Sequence, residues 1–252
     1  MNNKTTLICD HIKSNHVDIM AISESWLYGD DRDKKTLADV NTMLPDHNLY
    51  HKPRKARGGG GVCVIIKKGF TVSLHESFDF KSFDILDMTI VSGSTAMRLF
   101  TIYRPQYSSR RNKMTTPMFL TEFSTLLESV VLISIPVVFV GDFNIHVNVT
   151  ADTDAITFLE ILESAGLKQL VDFPTHRLGN TLDLLIVNSD SQLVHGLRPE
   201  YTLRGKSDDH TAFKCRLKVT KPAATKKTLC FRKFKDLDVN AFCEDIKASP
   251  LV

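Results

Sequence analysis

The chain has 252 residues, of which 42% are hydrophobic and 24% are charged. This length suits one large layered domain or two small ones, and the composition excludes a chain that is disordered throughout. The longest apolar stretch, residues 130–140, is interrupted by Ser134 and Pro136 and is too short to span a bilayer. The first residues lack the pattern of a secretory signal, so we expect an intracellular protein with no membrane segment.

Basic residues are concentrated towards the C-terminus. Residues 216–252 hold nine Lys or Arg and four Asp or Glu, a net charge of +5, which leaves −2 for residues 1–215 because the whole chain carries +3. A nearly neutral body with a basic tail is compatible with nucleic acid as a partner, although a solvated tail gives the same pattern. The five cysteines form no C-x-x-C pair, so we expect reduced and mostly buried thiols rather than a zinc site.

The first half of the chain predicts one helix followed by strands. Apolar residues at helical spacing follow Asn3, a candidate N-cap, and the apolar run at 17–24 has the length of a buried strand. A four-glycine turn precedes a second such run at 61–67. Further strands are predicted at 84–91 and 97–103.

The second half alternates helices and strands. A stripe of apolar residues from Phe119 to Val130 predicts a helix, and P-V-V-F-V predicts the buried strand that follows it. A helix is predicted at about 154–165, with Gly166 as its C-cap, and strands near 182–187 and 211–217. This alternation predicts an α/β layered fold over residues 1–218. Residues 219–252 are predicted to be a basic linker and the start of a further segment, with a helix in the last fifteen residues.

Polar side chains with catalytic potential lie where the predicted strands begin or end. They are Glu24 in I-S-E-S-W, Asp142 and Asn144 in V-G-D-F-N, Asp183 in T-L-D-L-L-I, and Asp208, Asp209 and His210 in S-D-D-H-T. Each alone has an ordinary explanation as a cap, a turn or a solvated charge. Their recurrence at strand ends predicts one cleft that is rich in carboxylates and contains one imidazole.

Such a cleft suits phosphoester hydrolysis. Carboxylate oxygens are the ligands that Mg²⁺ prefers, and Mn²⁺ is the alternative ion. A carboxylate can activate water, and His or Asn can donate to phosphate oxygens.

The motifs I-S-E-S-W-L, I-Y-R-P, V-F-V-G-D-F-N, T-L-D-L-L-I and S-D-D-H-T-A-F resemble, in this order, those of the endonuclease/exonuclease/phosphatase superfamily. P-T-H-R-L-G-N-T-L-D-L and the R-G-G-G-G-V turn are similar to endonuclease domains of LINE-type (non-LTR) retrotransposons. The resemblance covers about residues 4–217. The tail also resembles the segment that such elements place before a reverse transcriptase, which implies a reverse transcriptase domain downstream in a longer polyprotein.

The resemblance implies a DNA-nicking, Mg²⁺-dependent phosphodiesterase with a nuclear site of action. The implied metal ligands are Glu24 and Asp209. The implied catalytic residues are Asp142, Asn144, Asp183, His210 and Tyr103. Asp142 would deprotonate the attacking water, and Asn144 would fix Asp142. Asp183 would hold His210, and Tyr103 would donate a hydrogen bond to the phosphate. The implied substrate-binding residues are Arg104, Asn144 and Thr181.

The implied fold is a four-layer sandwich of two packed mixed β-sheets with helices on both outer faces. The family's first strand, with an N-x-R-S pattern, is expected just before Asn3 and is missing from this sequence. Asp208 stands where the family often has Ser.

Two alternative functions remain open at this point. One is a catalytically dead relic that still binds nucleic acid, and the other is a phosphatase of the same superfamily. The glycine run at 58–61 reads as a turn before a strand rather than a phosphate loop. Lys52, Arg54, Lys55 and Arg57 are either solvated or in contact with DNA phosphates.

Overall fold

The computed structural model describes residues 4–54, 59–76, 79–106, 114–203, 209–220 and 237–249. The chain forms two compact units, residues 1–222 and residues 223–252. Asn3, Lys55, Arg57, Asp208 and Cys230 lie outside the described residues.

The first unit contains four helices, a 3₁₀ turn and eleven strands within the described residues. The helices are α1 (Thr5–Ser14), α2 (Lys34–Met43), α3 (Thr116–Val130) and α4 (Thr153–Ser164), and the 3₁₀ turn is Asp31–Asp33. The strands are β1 (Ile19–Ser23), β2 (His47–Lys52), β3 (Val62–Lys67), β4 (Thr71–Leu74), β5 (Asp84–Ser92), β6 (Thr95–Tyr103), β7 (Val137–Asp142), β8 (Leu167–Gln169), β9 (Asp183–Asn188), β10 (Val194–Glu200) and β11 (Ala212–Leu217).

The largest sheet has six strands in the order β4-β5-β6-β7-β9-β8. Its only parallel pair is β6 and β7, and the other neighbours are antiparallel. Helix α3 forms the crossover between the two parallel strands, as such a connection requires. The C-terminal ends of β6 and β7 therefore lie at the same edge of the sheet.

The facing layer consists of two smaller antiparallel sheets. One has the order β1-β3-β2, and the other pairs β10 with β11. Within the described ranges, β1 pairs only with β3 and β11 only with β10, so each has one strand edge without a partner strand. The five residues of β1 are accordingly only partly buried, although four of them are apolar.

Three apolar clusters hold the layers together. Side chains of β3 pack between the sheets against β5, β6, β7 and β9. The opposite face of the six-stranded sheet packs against α3 and α4 through a cluster rich in phenylalanine. Residues of α1 and α2 cover Ile65 on the outer face of β3. The order helix, sheet, sheet, helix confirms the predicted α/β four-layer sandwich, in which each apolar face is buried against another element.

Five elements were missed by the sequence patterns: α2, β2, β4, β8 and β10. Helix α2 buries only Thr36 and Val40, so its sequence shows no apolar stripe. Strand β2 (H-N-L-Y-H-K) shows no alternation of apolar and polar residues, since five of its six residues are partly buried in the structure. Local β-propensity does not predict a strand such as β2, because pairing with the neighbouring strand β3 determines its structure.

The second unit contains helix α5 (Val239–Lys247). Asp238 caps it, since its side chain accepts from the backbone N–H groups of Asn240 and Ala241. None of its residues is buried. None of the helices among the described residues has the length and apolarity that a membrane crossing requires.

None of the four cysteines that the structure describes forms a disulfide. Cys9 and Cys63 are buried, Cys215 is partly buried and Cys243 is exposed. Burial raises the pKa of Cys63 to about 12 and that of Cys215 to about 11, which keeps both protonated.

Candidate active site

One row of strand partners crosses four strands at a single edge of the six-stranded sheet. Asp84 pairs with Tyr103, Tyr103 with Asp142, and Asp142 with Asp183. The row forms because β5 and β9 begin where β6 and β7 end. Three carboxylates and a phenol thus meet at one mouth. The strand-end pattern named Asp142 and Asp183 among them, whereas Asp84 comes to this mouth through the register of β5 with β6.

The facing sheet contributes Glu24 to the same mouth. Glu24 follows the last residue of β1, and its carboxylate accepts a hydrogen bond from the Tyr103 hydroxyl. A second link runs from the Gly61 backbone N–H to Asp84 Oδ2 at 2.9 Å. Burial, and then the bond to Glu24, raise the pKa of the Tyr103 phenol, so it stays a proton donor. These two bonds join the ends of the two sheets.

The turn that carries Asp142 depends on glycine. At Gly141, φ is +141°, and an added Cβ would lie 1.9 Å from the Ile102 carbonyl oxygen on β6. No other residue permits the parallel pairing there. Asn144, at φ +48°, donates from its backbone to Asp142 Oδ1 at 3.0 Å and from its amide to Asp142 Oδ2 at 3.1 Å. Asp142 is therefore fixed by two donors.

Asp142 is the most electrostatically perturbed carboxylate of the site. It is 5% exposed, and its burial raises its pKa well above the usual range; the charges of Asp183 and Glu24 act in the same direction. His210 and the Asn144 N–H oppose them. A buried carboxyl with a raised pKa in a polar cleft is typical of a general base or a cation site.

Asp183 and His210 form a dyad. His210 Nδ1 donates to Asp183 Oδ2 at 2.7 Å, and this bond raises the pKa of His210 to about 9, against the effect of burial. The imidazole is therefore cationic at neutral pH, and Nε2 is its remaining donor. Thr175 supports the dyad, because its Oγ1 accepts from the backbone N–H groups of Leu182 and Asp183 at 2.9 and 3.0 Å.

Among the described residues, the group suited to a metal comprises Asp142, Asp183 and His210, whose ligand atoms lie within 4.8 Å of one another. His210 Nδ1 already donates to Asp183, so the carboxylate oxygens are better suited than the imidazole to bind a metal. Glu24 is close enough for its charge to raise the pKa of Asp142. Several carboxylates against one imidazolium leave negative charge that a hard divalent cation would offset. The residues thus fit such an ion.

Asp209, which was predicted to be a metal ligand, forms an ion pair outside this group. Its Oδ1 forms an ion pair with Arg177 Nε at 3.0 Å, and it does not belong to the group above. Its backbone carbonyl also accepts from the Arg177 N–H. Asp209 instead fastens the residues before His210 to the loop that precedes β9.

Two predicted substrate-binding residues are buried supports. Arg104 is 4% exposed, and its guanidinium donates to the carbonyls of Phe143 and Asn144 and to the Thr116 hydroxyl. Thr181 is 2% exposed and donates to the Phe173 carbonyl. With their donors turned inward, neither is placed to bind a phosphate. Arg104 holds the loop that contains Asn144.

Several residues of the site escaped the sequence patterns. Asp84 was part of a predicted strand, and Thr175 showed no signal beyond its place in P-T-H-R. His176 forms a β-bridge with His210, and the two rings meet edge to face at 5.1 Å between centroids. Three of the four non-glycine residues with positive φ in the described chain lie at this mouth: Glu24, Trp26 and Asn144. Such strain clusters at functional sites.

A strand-end cleft of carboxylates, a phenol and an Asp–His dyad, built on a four-layer sandwich, defines a class of hydrolytic phosphodiesterases and nucleases. The chain belongs to the Endonuclease/Exonuclease/phosphatase family, whose family model matches residues 1–199. Among curated proteins, none matches this sequence.

Solved structures of this family share the fold. The endonuclease domain of TRAS1, a telomere-specific non-LTR retrotransposon, superimposes with a TM-score of 0.64 at 14% identity, over 86% of this chain and 93% of that one. An AP endonuclease from Archaeoglobus fulgidus gives 0.65 at 15% identity, over 86% and 95%. TDP2 from D. rerio, complexed with a single-strand DNA product, gives 0.60 at 11% identity, over 85% and 91%.

Proposed function

We propose that this chain is a Mg²⁺-dependent DNA endonuclease that nicks one strand and leaves a 3′-hydroxyl as a primer for reverse transcription. The observation that supports it most is the single register row Asp84–Tyr103–Asp142–Asp183, which brings the polar strand ends together beside Glu24 and His210. The motifs shared with LINE-type endonucleases favour DNA as the substrate. The chain would then act on DNA in the nucleus, and a downstream reverse transcriptase domain is the expected partner.

The residues divide the chemistry between them. Asp142 accepts a proton from the attacking water as the water oxygen bonds to phosphorus, and Asn144 holds its carboxylate in place. The P–O3′ bond then breaks, and the leaving 3′-oxygen takes a proton from solvent water to become the 3′-hydroxyl. The His210 imidazolium, oriented by Asp183, donates to a non-bridging oxygen of the scissile phosphate, and the protonated Tyr103 phenol is a further donor. Glu24 would be the chief ligand of Mg²⁺ or Mn²⁺, which when bound supplies positive charge that offsets the negative charge of the phosphate.

The test is relaxation of supercoiled plasmid in Mg²⁺ or Mn²⁺, with EDTA as the control. We expect nicked circles with ends that a polymerase extends, and no activity in EDTA. Full activity in EDTA would contradict the metal dependence.

The same preparations distinguish the two alternatives. A phosphatase would hydrolyse a phosphate monoester such as p-nitrophenyl phosphate and leave the plasmid intact. A relic would bind DNA in a mobility-shift assay and leave both substrates intact. We expect the intact dyad and the fixed Asp142 to support nicking.

A further inference from the structure

The segment that follows β1 exposes an aromatic ring beside the active site. Exposure alternates here: Glu24 and Trp26 are exposed, whereas Ser25 and Leu27 are buried. Trp26 is the only tryptophan of the chain and is 46% exposed. Exposed apolar residues are common on this surface, but this ring follows Glu24 by two residues and is open to a ligand of the cleft.

The position of this ring is fixed by its backbone. Trp26 adopts φ +54°, which costs energy for any residue with a Cβ. Its N–H donates to the Gly60 carbonyl at 2.9 Å, and the Ser25 N–H donates to the Gly61 carbonyl at 2.9 Å. The glycine turn is thus the partner that holds Trp26 in a strained conformation, which a solvated side chain would not need.

One edge of the indole rests on the same turn. A Cβ added to Gly59 would lie 3.3 Å from the ring, and at Gly60 it would lie 2.9 Å from Asp84 Oδ2 and from Arg54 Cδ. Glycines at these positions let the turn pass between the ring and the carboxylate row. The outer part of the ring stays open, as its exposure shows.

The neighbouring charges suit a nucleic acid strand. Glu24, two residues before Trp26, receives the Tyr103 hydrogen bond, so the ring adjoins the proposed phosphate site. Arg54 Nε lies 3.8 Å from Asp84 Oδ1 in an ion pair beside the turn, and the Arg54 side chain is partly exposed. Aromatic rings next to such cations bind unpaired bases by stacking, with little preference among the bases.

We propose that Trp26 is a stacking platform for an unpaired nucleobase next to the scissile phosphate of the DNA strand. This inference rests on the proposed function and names the form of substrate that the site takes: single-stranded or locally opened DNA. The glycine turn holds the platform, and Arg54 contacts the neighbouring phosphate.

The test uses the emission of Trp26, which is the only indole in the protein. In EDTA, the protein is titrated with a single-stranded oligo-dT and with an abasic oligonucleotide of equal length and charge, each labelled so that anisotropy reports binding separately. We expect oligo-dT to quench the emission and the abasic strand to bind more weakly without quenching. Binding of oligo-dT without quenching, or equal quenching by both strands, would overturn the inference, as would no binding of either.

Variants of Trp26 extend the test to the affinity for oligo-dT. Trp26→Asn tolerates the positive φ but cannot stack, and we expect it to weaken oligo-dT binding about 5- to 150-fold, the equivalent of about 1–3 kcal/mol per stacked base. Trp26→Phe keeps an aromatic face and should lose less. Tyr201→Ala removes another exposed aromatic side chain as the matched control and should bind like wild type. Equal affinity of Trp26→Asn and wild type would refute the platform.

Failure of the inference is distinguishable from failure of the proposed function. If the wild type nicks plasmid while Trp26→Asn nicks equally and the emission is not quenched, the site is a nuclease without this platform. If the emission is quenched by oligo-dT alone while wild type cleaves nothing, the stacking site stands and the proposed nuclease function fails.

Discussion

Two clusters of polar residues on the six-stranded sheet differ in how their buried carboxylates are stabilised. Near the middle of β5 and β6, Asp87 accepts two hydrogen bonds from Arg98, at 2.6 and 2.8 Å, and Arg98 Nη1 also contacts His75 Nε2 at 2.6 Å. There each charge has a partner. At the mouth, Asp142 lies among other carboxylates and its pKa is raised.

The difference shows which cluster serves the fold and which serves chemistry. A buried carboxylate with a bidentate guanidinium is stabilised by the protein itself. A buried carboxylate beside like charges is held in place by the rest of the fold, and its negative charge is offset when a cation or a substrate binds. The cluster around Arg98 should therefore govern stability, and the cluster around Asp142 should govern activity.

The largest expected effect is on activity at Asp142. Asp142→Asn keeps the shape of the side chain but cannot accept the proton of water, so nicking should fall by about 10²–10⁴-fold. In EDTA the variant should unfold at a higher temperature than wild type, because a buried carboxyl with a raised pKa is removed. Plasmid relaxation and thermal unfolding measure the two effects. Lower activity together with lower stability would mean that Asp142 supports the fold instead.

The opposite result is expected at Arg98. Arg98→Met leaves Asp87 buried without its counter-charge, which should lower the free energy of unfolding by about 3 kcal/mol. That value is at the lower end for broken buried pairs, since the Arg98 side chain is 18% exposed. Urea unfolding measures the loss, and nicking below the midpoint should stay close to wild type. Lys67→Met, which breaks the more exposed pair with Asp18, is the control and should change little.

The smallest expected effect is a pH dependence that comes from the dyad. The pKa of His210 rises from 6.5 to about 9 on folding, so the folded state holds its proton more tightly. The resulting stabilisation is complete below pH 6.5 and is lost as the pH rises through about 9. Urea midpoints between pH 6 and pH 9.5 should fall more in wild type than in His210→Gln. Parallel curves for both proteins would show that the dyad does not couple to folding.

Local patterns in the sequence predicted the layered fold and the candidate site residues at strand ends. Apolar runs such as P-V-V-F-V are buried on both faces and need no context to be recognised as strands. A charged residue directly after such a run must lie at a sheet edge, because it cannot continue into the core without a partner. Asp142, Asp183 and Glu24 were predicted for that reason, and the order of their motifs predicted the family.

Which polar residues face the cleft depends on contacts between distant parts of the chain. Arg104 follows a strand as Asp142 does, yet its guanidinium turns inward to backbone carbonyls on another loop. Asp209 precedes His210, yet Arg177 engages it. Asp84 joins the site through the register of β5 with β6, and Thr175 through two hydrogen bonds across a loop. These outcomes depend on contacts between residues far apart in the chain, which local periodicity does not encode.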